Sequence, residues 1–194
     1  MKFRAFLVAM FLLAHASIGW GEEAVRSPEW LYQTLNDYFE EFNVVDAGGK
    51  SLRVVAHEKS DYKDVDFASG ILKLDNQAWI YYRCELGSDR VNNIYTSLSL
   101  LEKYLFITWK RDLHDFQNFD ILAETLFHLF TSTAEELDAV RGIYDRSVDS
   151  LLSGDLESEV ETHEEYQGTS TDFALSFRRK NGSSSIKLWV LPKK

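Results

Sequence analysis

The segment from Gln77 to Arg111 reads QAWIYYRCEL (77–86), GSDRVN (87–92), NIYTSLSLLEK (93–103) and YLFITWKR (104–111). Aromatic and β-branched side chains dominate it, the types that suit a pleated, half-buried surface. It is expected to form the centre of an antiparallel sheet. Within 77–86, the two-residue period of a strand places Ile80, Tyr82, Cys84 and Leu86 on one face. Trp79, Tyr81, Arg83 and Glu85 fall on the other. Residues 93–103 satisfy two patterns. Ile94, Leu98, Leu101 and Leu105 fit a helix, whereas Ile94, Thr96, Leu98 and Leu100 alternate as in a strand. The β-prone YLFITWKR that follows favours the strand, with Glu102-Lys103 as a hairpin tip.

On the N-terminal side, Asp75-Asn76 is a turn signal after the strand-like ILKL of 71–74. Leu52–His57 is a further short strand, and the polar stretch Lys59–Ser69 reads as a loop. Ser27-Pro28 has the form of a helix start, with Ser27 as N-cap and Pro28 at the first helical position. Leu31, Leu35, Tyr38, Phe39 and Phe42 then make one apolar helical face opposite Asn36, Asp37, Glu40 and Glu41. Turn residues near Asp46–Gly49 end that helix.

On the C-terminal side, Phe116, Phe119, Ala123, Leu126, Phe127 and Phe130 form a helical stripe. Thr131-Ser132-Thr133 interrupts it, and Ser132/Glu135 and Thr133/Glu136 both have capping-box spacing. Leu137, Val140, Tyr144, Val148 and Leu151 continue as a second stripe that ends at Gly154. Asp172–Lys180 and Ser185–Leu191 flank Asn181-Gly182, the signature of a tight hairpin. No repeat or Pro-rich linker divides the chain. These elements predict one α+β domain, an antiparallel sheet packed with an N-terminal helix and a later helix pair, with a C-terminal β-hairpin.

Residues 1–21 carry Lys2 and Arg4, then the apolar run Ala5–Leu13, then small-residue patterns that allow cleavage at Ala16, Gly19 or Gly21. That order is expected of a cleavable signal peptide, which leaves residues 22–194 as the domain and places it in the periplasm or outside the cell. Losing Lys2 and Arg4 moves the formal charge from −10 to −12. Such a chain gains nothing electrostatically from nucleic acid or an anionic membrane surface. Its charge would suit a basic protein partner or a cation, or simply serve solubility, the commonest use of such a charge. Cys84 is the single cysteine, so the fold must stand on its core rather than on disulfides.

Motifs for catalysis or cofactors are missing. There is no Gly-x-Ser-x-Gly elbow, no phosphate-binding Gly-rich loop and no His-Glu-x-x-His, and no cofactor is expected. Asp61, Asp64 and Asp66 depart from the spacing of a calcium loop. Asp115, after His114, is expected to cap a helix. Two candidate binding surfaces remain. One is the strand face of Trp79, Tyr81, Arg83 and Glu85, which could equally pack under a helix with its polar ends reaching out to solvent. The other is the acidic alternation Asp155, Glu157, Glu159 and Glu161, with Glu157, Glu159 and Glu161 as the residues that would meet a basic partner. The same row has two plainer readings, a charged edge strand that resists pairing and a partner for Arg178, Arg179 and Lys180. The function expected is an exported soluble binding protein, such as an inhibitor, immunity-type or accessory factor. The alternative is a small secreted hydrolase assembled from His57, His114, His128 or His163 with carboxylates, or with Cys84.

Overall fold

The computed structural model of the chain describes residues 27–59, 67–85, 90–101, 105–153, 159–180 and 183–193. Helix α1 (Pro28–Glu41) starts at Ser27, whose hydroxyl accepts from the Trp30 amide at 3.1 Å. It buries Pro28, Leu31, Leu35 and Phe39, the face its apolar spacing marks. Asn43 follows in the left-handed region (φ 48°), which an Asn tolerates better than most residues. The Asn36 side chain accepts from the Val54 amide at 2.8 Å and so pins α1 to the first strand.

Seven strands follow: β1 (Val54–Lys59), β2 (Phe67–Leu74), β3 (Trp79–Glu85), β4 (Val91–Leu101), β5 (Val160–Gln167), β6 (Thr171–Lys180) and β7 (Ser183–Pro192). All paired neighbours are antiparallel, and the order across the sheet is β1-β2-β3-β4-β7-β6-β5. Strands β1 to β4 form a meander. The chain then leaves the sheet through α2 (Leu105–Phe130) and α3 (Ala134–Ser153) and re-enters at the far edge. Strand β7 returns to the middle, pairing Ile94–Leu101 with Val190–Ser183.

The helices lie on one face of this sheet. Leu72, Ile80, Tyr82, Cys84, Ile94, Phe173, Leu175, Phe177, Ile186, Leu188 and Val190 point to them and are buried. Phe119, Leu122, Leu126 and Phe127 of α2 and Val140 and Tyr144 of α3 meet them. Removing this surface from water stabilises the fold by roughly 25 cal/mol per Å² of apolar area. Arg141 of α3 donates to both carboxylate oxygens of Glu124 of α2, at 3.1 and 2.9 Å from Nε. Its Nη2 donates to His128 Nε2 at 2.9 Å, which fixes that nitrogen as an acceptor.

Several expectations hold here. The architecture is α+β, β4 covers the ambiguous residues up to 101 as a strand, and Asp75-Asn76 lies in the β2–β3 turn. Three do not. Residues 105–111 of YLFITWKR are the first turns of α2, not a strand. The edge of β4 that they would need is occupied by β7, so tertiary pairing overrides their β propensity. Asp115 consequently sits inside α2 rather than at its cap. Strand β2 begins at Phe67, within the stretch read as a loop, because Phe67–Lys73 find partners in β3. The proposed tip Glu102-Lys103, the Asn181-Gly182 turn, Gly154 and Asp61, Asp64 and Asp66 lie outside the described residues.

Two local contacts hold distant parts together. Glu136 is 7 % exposed, and its two carboxylate oxygens accept from the amides of Ser132 and Thr169, each at 2.7 Å. One side chain thus joins the α2–α3 turn to the β5–β6 turn. Thr133 Oγ1 accepts from the Glu136 amide at 3.1 Å, so Thr133 is the cap, and Glu135 stays exposed. Burial raises the Glu136 pKa, but the hydrogen bonds from Thr169 and Ser132 outweigh it and hold the carboxyl below its usual 4.5. The second contact crosses β2, where Gly70 leaves room for the Tyr82 ring. The Tyr82 hydroxyl reaches His57 Nε2 at 2.5 Å. Burial raises the tyrosine pKa well above its usual value, so the hydroxyl stays protonated.

Glu136→Gln is expected to lower stability at pH 7 by about 2 kcal/mol, the scale of a lost charge-assisted bond. Because the folded-state pKa is depressed, this difference from the wild type is complete above pH 4.5 and shrinks as pH falls below it. Denaturant unfolding at pH 7 and pH 3 measures it, and a pH-independent difference would contradict the assignment. A Cβ at Gly70 would meet the Tyr82 ring and lie 2.7 Å from the Glu58 carbonyl oxygen. Gly70→Ala should therefore cost about 1–3 kcal/mol in thermal unfolding.

Candidate functional site

Helices cover one face of the sheet, and strand alternation sends every second side chain of the central strands to the other. Ile71 of β2, Tyr81 of β3, Tyr95 of β4 and Trp189 of β7 stand in one register line across four strands. Trp79 lies two residues along β3, with its ring 5.8 Å from that of Tyr95 at an interplanar angle of 54°. Tyr95 and Trp189 are 5.4 Å apart at 37°. The result is a continuous aromatic floor, in geometries that ring quadrupoles favour. Next to Trp189 in the register line, β6 carries only Ala174. On β5 that line continues to Glu165, and the ring of His163, two residues away, lies 6.4 Å from Trp189.

This floor belongs to a groove of about 860 Å³ lined by apolar and polar side chains from β1, β2, β3, β4 and β7. A register irregularity between Val54 and Ala56 brings both Val55 and Ala56 to its wall. Val55 is 52 % exposed, one of two large apolar residues left so open among the described residues. Three cations line the groove: Lys73, Arg83 and Lys187. No carboxylate among the described residues does. The Arg83 guanidinium sits over the Tyr81 ring, 5.7 Å from its centroid, and its Nε donates to the Tyr81 hydroxyl at 3.3 Å. Lys73 is bonded to Glu58 at 2.6 Å.

Comparisons of the chain with protein-family models, with curated proteins and with solved structures find no match. The groove's chemistry is therefore read from its own residues. Its size is that of a small-molecule site, and its lining is mostly apolar with a few fixed polar groups.

The candidate residues distribute unevenly around it. Trp79, Tyr81 and Arg83 come together in the groove, while the Glu85 side chain lies outside the described residues. Glu161 is exposed on edge strand β5, opposite Arg178 of β6, and Glu159 precedes that strand with a 3.6 Å ion pair to Lys180. Glu157 and Asp155 are not among the described residues. His57, His128 and His163 stand on β1, α2 and β5, each with a local partner: Tyr82, Arg141 and Glu165. Cys84 is buried on the helix side of the sheet. Among the described residues, no three His, Cys, Asp or Glu side chains gather as a metal site.

Tyr95, Lys187 and Trp189 are members of the floor that the sequence reading did not single out. Their signal lay in strand phase. Tyr95 falls between Ile94 and Thr96, and Lys187 and Trp189 interleave with Ile186, Leu188 and Val190. What the sequence lacked was the pairing of β4 with β7, which sets Tyr95 beside Trp189.

Trp189→Ala on the open face should cost at most about 1.5 kcal/mol, the scale of a lost aromatic pair. Leu188→Ala, one residue away but facing the helices, should cost about 3 kcal/mol. Chemical denaturation of the two variants measures the contrast, and equal losses would make the aromatic floor part of the core.

Proposed function

We propose that this chain is an exported binding protein whose open sheet face is its recognition surface. Residues 1–21 serve as the cleavable signal, and the mature domain works in the periplasm or outside the cell. The aromatic groove carries this reading, because half-buried rings that stack on one another offer apolar area that a ligand can cover. No helix among the described residues is long and apolar enough to cross a membrane. The acidic residues Glu159 and Glu161 support a basic protein partner less strongly, since Lys180 and Arg178 already lie against them.

A second reading, a small secreted hydrolase, draws on one arrangement. His163 Nε2 lies 2.8 Å from Glu165 Oε1, and the His163 ring neighbours Trp189. A histidine oriented by a carboxylate is half of a general-base site. Turnover of an ester or amide panel that His163→Ala abolishes would select this reading over simple binding.

The binding reading is tested by expressing the whole chain in an exporting host and recovering the exported form. Its N-terminal sequence should begin after Ala16, Gly19 or Gly21. Native mass spectrometry and thermal-shift screening of charged and uncharged small molecules should then find ligands that Trp189→Ala no longer holds. An unprocessed intracellular chain would refute export. A screen in which Trp189→Ala changes nothing would refute the groove as the recognition surface.

A further inference from the structure

The charge of the groove runs against that of the chain. The protein has a formal net charge of −10, with 31 acidic and 21 basic residues, yet among the described residues every charged side chain lining the groove is a cation. Lys73 is neutralised locally by Glu58, and the Glu165 carboxylate is engaged by His163 beyond the floor. Lys187 is half-exposed, stands two residues from Trp189 on the same face, and has no carboxylate partner among the described residues. Arg83 is held against the Tyr81 ring at the other side of the register line, where its position is already fixed by stacking. The site therefore combines flat aromatic surface with the Lys187 ammonium beside it.

Such a combination selects by shape and sign together. Ring faces such as those of Trp79, Tyr95 and Trp189 accept another planar group by offset or edge contact. A cation beside an apolar floor meets an anion in a partly desolvated setting, where charge pairing counts for more than in open water. A cationic ligand would meet Lys187 with like charge. A neutral one would use the floor alone.

We propose that the groove binds a small planar organic anion, an aromatic or polycyclic ring system bearing a carboxylate, sulfonate or phosphate. Its ring lies on Trp79, Tyr95 and Trp189, and its anionic group is met by Lys187. This rests on the groove being the recognition surface and adds to it the sign of the ligand's charge.

A matched pair of fluorescent probes separates the two claims. 1-Anilinonaphthalene-8-sulfonate and N-phenyl-1-naphthylamine share one ring system and differ by the sulfonate. The folded chain should bind the sulfonate about tenfold more tightly, the equivalent of a single well-placed charge pair. Lys187→Met should weaken the sulfonate about fivefold or more and leave the amine within about twofold. Raising salt should erode the preference. Trp189→Ala should weaken both probes, and Lys180→Met, which lies outside the groove lining, should weaken neither. Near-ultraviolet circular dichroism of each variant confirms that the probe reads a folded protein.

Equal affinity for the two probes, unmoved by Lys187→Met but lost in Trp189→Ala, would overturn the anion assignment and keep the groove as a binding surface. Failure of both probes on the wild type would overturn both claims. Sedimentation would expose a different occupant. A dimer that Trp189→Ala converts to monomer would mean that a second copy of the chain covers this face, and would also overturn the proposal.

Discussion

Burial of a single sheet face is the constraint from which the rest of the architecture follows. The seven strands turn one set of alternating side chains toward three helices, and Leu72, Ile80, Ile94, Leu188 and Val190 become inaccessible there. A slip of one residue in any strand would exchange these for Lys73, Tyr95, Lys187 and Trp189, so the register is specified by hydrophobic burial itself. The same alternation leaves the other face without a covering helix among the described residues. An aromatic floor on that side is then a consequence of side-chain choice rather than of backbone design. The sheet beneath it is held by the buried core, and the residues on top are at liberty to vary in chemistry.

Charge is also arranged by element. Acidic residues lie on α1, on β5 and in the helix pair, where Glu29, Glu164 and Glu124 each meet a cation. Such exposed pairs contribute little to stability. Their effect is on where negative potential sits. No carboxylate among the described residues lines the groove on β1, β2, β3, β4 and β7, whereas Lys73, Arg83 and Lys187 do, and charge placed in this way guides encounter as well as affinity.

Much of this was readable from residues alone, and the reasons differ from place to place. The two faces of β3 were clear because Trp79–Glu85 alternates strictly and a two-residue period has one interpretation. Helix α1 was clear because Ser27-Pro28 marks a start and its apolar positions keep one stripe. Residues 105–111 misled, since LFITWKR has strand composition while its helical state depends on β7 already occupying the edge of β4. Half of the floor was hidden for the same reason. Tyr95 and Trp189 are 94 positions apart in number, and nothing local to either says they stack. Local chemistry announces faces and caps, whereas pairing between remote strands is decided by the collapse of the whole chain.

The return of β7 to the middle of the sheet has a kinetic corollary. Of the seven strands it is the last in chain order, and it is the piece that joins the β1–β4 meander to the β5–β6 hairpin. Until it is in place, each part keeps a bare edge of unpaired amides and carbonyls, and closure must span the whole helical excursion between β4 and β7. Contacts of such long sequence separation form slowly. A nascent chain short of Ser183 is therefore an open, unfinished sheet, and its cooperative structure arrives only with the final strand.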